Sequence, residues 1–108
     1  MSERLLQINF NFNVTSGEYE KAAKSLADQF ANLPGLMWKI WIMDEDKNEA
    51  GGIYLFEDET SLNNYLNGPL AKTVTSHPAF SNFSVKPFTV MNKLTEITHG
   101  PIENKLHV

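Results

Sequence analysis

The sequence predicts an α+β fold in which one antiparallel sheet carries its helices on a single face. Three observations predict it. Apolar residues alternate with a period of two in several stretches and recur at helical spacing in others. These stretches run strand, helix, strand, strand, helix, strand. The central hairpin, Leu36–Met43 and Glu49–Phe56, is apolar on both of its faces. Helices cover only one face of such a sheet, so something else must cover the second.

Each element follows from its own pattern. In Leu5–Asn13, Leu6, Ile8, Phe10 and Phe12 form an apolar row, and Gln7, Asn9 and Asn11 form a polar one. That alternation predicts the first strand. Thr15-Ser16-Gly17-Glu18 matches a capping box. From there to Leu33, the residues Tyr19, Ala22, Ala23, Leu26, Ala27 and Phe30 make one helical stripe, which Pro34-Gly35 ends. On the next strand Leu36, Trp38, Ile40 and Ile42 are expected on one face, and Met37, Lys39, Trp41 and Met43 on the other. Asp44–Glu49 is its polar turn. Gly51-Gly52 lies inside the following strand, where glycine leaves room for a bulge, a large neighbour or a ligand. Asp58 is placed to cap a helix carrying Leu62, Tyr65 and Leu66. Gly68-Pro69 breaks that helix and starts a shorter one ending at His77-Pro78. Phe83–Val90 reads as the last strand, irregular or at an edge because Pro87 cannot donate a ladder bond.

This is the ferredoxin-like βαββαβ order. With both hairpin faces apolar, it predicts a homodimer whose sheets meet face to face. The 108 residues are read as one domain, with 93–108 as a C-terminal arm. Hydrophobic residues make up 42% and charged residues 20%, as expected of a globular protein. A net charge of −4 argues against nucleic acid, which selects basic surfaces. The lack of cysteine removes disulfides, thiolate nucleophiles and Cys-ligated metals, and fits the cytoplasm. Neither a signal peptide nor a membrane helix is expected, and no membrane partner. His77, His99 and His107 lack the spacing of metal ligands.

At Pro34–Trp41 and Glu49–Phe56 the chain resembles the small YdhR-type mono-oxygenase family of the dimeric α/β-barrel superfamily. Leu5–Phe10 and Asp58–Ser61 fit the same pattern, and the resemblance spans Leu5 to Val90. It implies a homodimer of ferredoxin-like subunits. It also implies kinship with enzymes that oxidise polycyclic phenols with molecular oxygen, without metal or flavin. On this reading the protein has no cofactor and acts on a small aromatic or polycyclic phenol.

Such chemistry requires a flat substrate to be oriented, its anion stabilised and water excluded. Tyr54 and His77 are the catalytic candidates: a phenol can donate a hydrogen bond, and an imidazole titrates near neutral pH. Asn9, Trp38, Phe56 and Gly52 are the expected substrate contacts. Lys39 or Lys86 could stabilise an oxyanion. Trp41 and Met43 are expected at the dimer interface, because Trp38 and Trp41 lie on opposite faces of one strand. The rival reading is a non-catalytic dimeric binding protein for a flat apolar ligand. A third assigns the second apolar face to dimerisation alone.

Overall fold

The computed structural model describes residues 2–102. The elements are β1 (Arg4–Phe12), α1 (Ser16–Ala31), β2 (Leu36–Asp44), β3 (Glu49–Phe56), α2 (Glu59–Leu66), α3 (Pro69–Thr75), β4 (Phe80–Thr89) and α4 (Asn92–Ile97). The strands form one antiparallel sheet in the order β2-β3-β1-β4, the ferredoxin-like arrangement. Among the described residues, no helix is long and apolar enough to cross a membrane.

The helix starts form as their sequences require. Thr15 accepts the Glu18 N–H, and Glu18 reaches back to the Thr15 N–H, closing the capping box at α1. Asp58 accepts the Ser61 N–H at 2.8 Å and caps α2; this bond holds its carboxyl below the usual carboxylate range. Pro69 occupies the first turn of α3. Gly35 turns the chain after α1 at φ 81°, and a Cβ there would collide with Ser61.

Leu6, Ile8, Phe10 and Phe12 are buried beneath the helices together with Ala50, Tyr54, Phe56, Tyr19, Phe30, Leu62 and Tyr65. Two irregularities decide which side chains join them. In β4, Asn82 takes φ 56° beside a register shift opposite Asn9–Asn11. This bulge lets Phe80 and Phe83, three residues apart, both pack on Phe10, at 4.7 and 5.1 Å between ring centroids. It also starts the strand at Phe80, earlier than the alternation from Phe83 indicated. In β2, a second shift falls between Leu36 and Trp38. Leu36 pairs with Phe56 on the helix side, whereas Trp38 pairs with Leu55 on the other.

Beyond Leu36 the two expected rows of β2 keep their members, but the row with Trp41 is the one that faces the helices. Lys39 pairs with Tyr54, Trp41 with Gly52 and Met43 with Ala50, so all three lie on the helix-covered face. Trp38, Ile40 and Ile42 lie on the other face with Leu5, Gln7 and Asn9. Leu36 breaks the row it was grouped with, because the bulge adds one residue and strict alternation fails across it.

The second face is partly covered by the chain itself. The Trp38 indole N–H donates to the Pro101 carbonyl at 2.7 Å. Ile102 is only 4% exposed, and Leu55, although on this face, is fully buried. Part of the expected arm is thus the helix α4 and a segment folded onto the sheet; residues 103–108 lie outside the described residues. On the same face Ile40 of β2 and Phe88 of β4 remain about half exposed, at 50% and 49%.

Candidate functional site

Between α1 and the edge strand β2 lies an open apolar groove of about 300 Å³. Tyr19, Ala23 and Ala27 form the helix wall, Trp41 and Met43 the strand wall, with Glu20 and Lys24 at the α1 rim. The alanines of the helical stripe create this space, because a longer side chain there would fill it. Below the groove, and sharing Tyr19, Ala23 and Trp41 with it, lies a space of about 20 Å³ bordered by Phe30, Lys39 and Tyr54. That is room for about one water.

The floor is a group of packed rings. Phe30 meets Trp41 edge-on at 5.5 Å and contacts Tyr54 and Tyr65 at 5.9 and 5.8 Å. The Tyr54 and Tyr65 hydroxyls share a hydrogen bond of 3.3 Å. Burial raises the pKa of both phenols; Tyr65 raises that of Tyr54 further, while the hydrogen bond from Tyr54 works against the rise at Tyr65, and Tyr54 stays neutral.

Into this aromatic floor reaches one cation. The Lys39 Nζ lies 3.5 Å from the Phe30 centroid, 3.4 Å from Trp41 and 4.7 Å from Tyr54. Among the described residues it forms no ion pair. Burial lowers its pKa to about 7, while the ring faces pull the other way by attracting the charged form. Gly52 makes this position available. A Cβ at Gly52 would come within 2.7 Å of Lys39 Cε and 3.1 Å of Tyr54 Cε1. The glycine thus makes room for a neighbouring lysine.

The structure gathers only part of the expected site. Tyr54, Phe56 and Gly52 share the helix-covered face with Trp41. Asn9 and Trp38 lie on the opposite face. The Asn9 amide there accepts from Gln7 and donates to Glu49, both at 3.1 Å, and Trp38 is held by Pro101. His77 is not a lining residue of the groove or of the space beneath it. Its ring stacks on Phe80, and its Nδ1 accepts the Ala79 N–H at 3.1 Å. With Nδ1 so used, a neutral ring carries its proton on Nε2 and has no free acceptor. Trp41 and Met43, expected at a subunit interface, line the groove. The contribution of α1, through Tyr19, Ala23, Ala27 and Phe30, was not apparent from sequence. These residues read there as an ordinary buried stripe.

Comparisons with known proteins agree with this architecture. A structure of a protein of unknown function from Nitrosomonas europaea, NE2512, is 15% identical with a TM-score of 0.72, covering 84% of this chain and 91% of the other. SnoaB, a cofactor-independent oxygenase from Streptomyces nogalater, is 21% identical with a TM-score of 0.70, over 85% and 96%. A dimeric ferredoxin-like protein of unknown function from Thermobifida fusca is 16% identical with a TM-score of 0.66, over 82% and 92%. At these identities the likeness is one of fold. No curated protein matches the sequence. One family model matches residues 5–101, nearly the whole described chain, and the protein belongs to that family, described as "Putative mono-oxygenase ydhR".

Proposed function

We propose that this protein is a cofactor-independent mono-oxygenase that oxidises a small aromatic or polycyclic phenol with molecular oxygen in the groove between α1 and β2. The observation that carries the reading is the groove itself: apolar, about 300 Å³, alanine-walled and bordered by the Tyr19 and Trp41 rings, with further packed rings beneath it. That volume is at the small end of ligand sites, which run from about 300 to 1,000 Å³. A flat ring fits between the α1 alanines and Trp41. Family membership supports the reaction class.

The chemistry asks little of the protein beyond orientation, an ionised phenol and a dry site. The phenolate gives one electron to oxygen. The radical pair then joins through a C–O bond at a ring carbon conjugated with the phenol. From a CH₂ carbon the resulting hydroperoxide loses water: the O–O bond breaks, the carbon becomes a carbonyl, and O₂ supplies both the carbonyl oxygen and the water oxygen. No outside reductant is needed.

A homodimer belongs to the same reading. Half-exposed Ile40 and Phe88 form an apolar surface suited to a second sheet, and the T. fusca neighbour is dimeric. The cysteine-free composition fits a cytoplasmic location.

The test is oxygen uptake with a panel of hydroxyanthrones and quinols, using wild type and Ala23→Trp. Uptake by wild type and its loss in the groove-filled variant are expected. A folded wild-type protein that consumes no oxygen above buffer on any member would defeat the reading. Ring binding without uptake would favour a binding protein.

A further inference from the structure

We propose that the Lys39 amine takes the proton of a bound phenol and then, as an ammonium, holds the phenolate at the foot of the groove. This rests on the groove being the substrate site. It narrows the ligand class to flat phenols acidic enough to ionise beside an amine, such as nitrophenols, naphthols and hydroxyanthrones.

The geometry carries the inference. β2 is an edge strand, so a lysine on it could extend into water, as lysines on sheet edges usually do. Lys39 instead lies across Gly52 and ends among Phe30, Trp41 and Tyr54. No carboxylate among the described residues pairs with it, and it borders the space of about 20 Å³ beneath the groove, through which a water-sized phenol oxygen would reach it. The other titratable groups around the groove do not compete for the role. Tyr54 on β3, Tyr65 on α2 and Tyr19 on α1 have raised pKa values and remain neutral phenols. Glu20 and Lys24 on α1 are exposed at the rim.

Burial lowers the Lys39 pKa to about 7, so both the base and the ammonium are populated near neutral pH. The step balances as one proton moved: ArOH plus lysine amine gives ArO⁻ plus lysine ammonium. The electron pair left on oxygen is what raises the ring's capacity to reduce O₂. The new ion pair forms in a low-dielectric site, which favours it over two separated neutral partners only where the phenol is already fairly acidic.

The experiment uses 4-nitrophenol, whose neutral and ionised forms differ in absorbance, titrated with pH on wild type, Lys39→Met and Lys39→Arg. Wild type should lower the probe's apparent pKa by at least one unit, a tenfold gain in ionised fraction. Lys39→Met should still bind the probe but leave its titration at the free value. Lys39→Arg should restore the ionised form, because arginine keeps the charge, and should flatten the pH dependence near 7, because arginine cannot take the proton. Circular dichroism checks that each variant is folded. If Lys39→Met does not fold, Gly52→Val, which displaces the lysine stem, takes its place with the same expectation. A wild-type protein that leaves the probe's titration unchanged, or a folded Lys39→Met that shifts it as wild type does, overturns the assignment. The two readings fail separately. Probe ionisation without oxygen uptake would defeat the oxygenase reading and leave Lys39 in place; undiminished oxygen uptake by Lys39→Met would do the reverse.

Discussion

The helix-covered face of the sheet is rich in rings, and the opposite face sets aliphatic side chains and amides beside Trp38 and Phe88. On the covered face Phe10, Phe12, Tyr54 and Phe56 pack under Tyr19, Phe30 and Tyr65. The opposite face has Ile40, Ile42, Ile53 and Leu55 beside the amide row of Gln7, Asn9 and Asn11. Each face takes one tryptophan from the same strand. Trp41 meets Phe30 edge-on and borders the groove, while Trp38 donates to the Pro101 carbonyl and anchors the folded-back C-terminal segment. Strand alternation thus separates the groove from the covering surface within one short element. Rings enclose space because they pack at fixed angles; branched aliphatics present the even surface that a second sheet needs.

Several changes would break or sharpen this contrast, and the largest effect belongs to the covered face. Phe56 is fully buried, so Phe56→Ala should lower stability by about 3–5 kcal/mol in urea unfolding. Ile40→Ala, on a half-exposed residue, should cost less than about 1 kcal/mol in dilute, monomeric protein. Equal losses would mean that the faces do not differ as described. Next comes Ile40→Glu. If two sheets meet on the open face, the buried charge should cost about 3–5 kcal/mol of association, and light scattering should report monomers. A dimer of unchanged mass would move the interface elsewhere.

The Lys39 amine sets a pH-dependent effect. Its pKa is about 7 in the folded protein against an ordinary 10.5, so the unfolded chain binds the proton more tightly. Stability should therefore rise between pH 7 and about 10.5, by up to ~1.4 kcal/mol per unit, and stay flat from this group below pH 7. Lys39→Met should abolish that slope and be the more stable protein at neutral pH. A wild-type curve parallel to that of Lys39→Met would contradict the caged position. The smallest change is Trp38→Phe, which removes one hydrogen bond worth about 1 kcal/mol and should loosen exchange protection near Ile102 without touching the groove.

The contrast also shows what the sequence could and could not convey. The element order, the capping box at Thr15, the N-cap at Asp58 and the break at Gly68-Pro69 are local signals, and the structure follows them. The faces of β2 depend on a bulge between Leu36 and Trp38, which alternation alone does not announce. That one inserted residue puts Trp41, and not Trp38, on the face of Leu36. Lys39 did carry a signal: a single charge in the apolar stretch Leu36–Met43, in a hairpin whose second strand holds a pair of glycines. Its direction did not follow, because the space over Gly52 exists only once β2 and β3 are in register. The groove wall from α1 was hidden because alanines that line a cavity and alanines that permit close packing look the same in a helical stripe. His77 was singled out for the chemistry of its side chain, but its ring is engaged by Ala79 and Phe80.

The central claim is that the ligand site lies on the helix-covered face beside Trp41. Two single-tryptophan proteins, Trp38→Phe and Trp41→Phe, titrated with 4-nitrophenol while tryptophan fluorescence is recorded, test it most directly. Strong quenching when only Trp41 remains, with little when only Trp38 remains, is the predicted result; quenching confined to the protein that keeps Trp38 would contradict it and place the site on the opposite face, under the C-terminal segment.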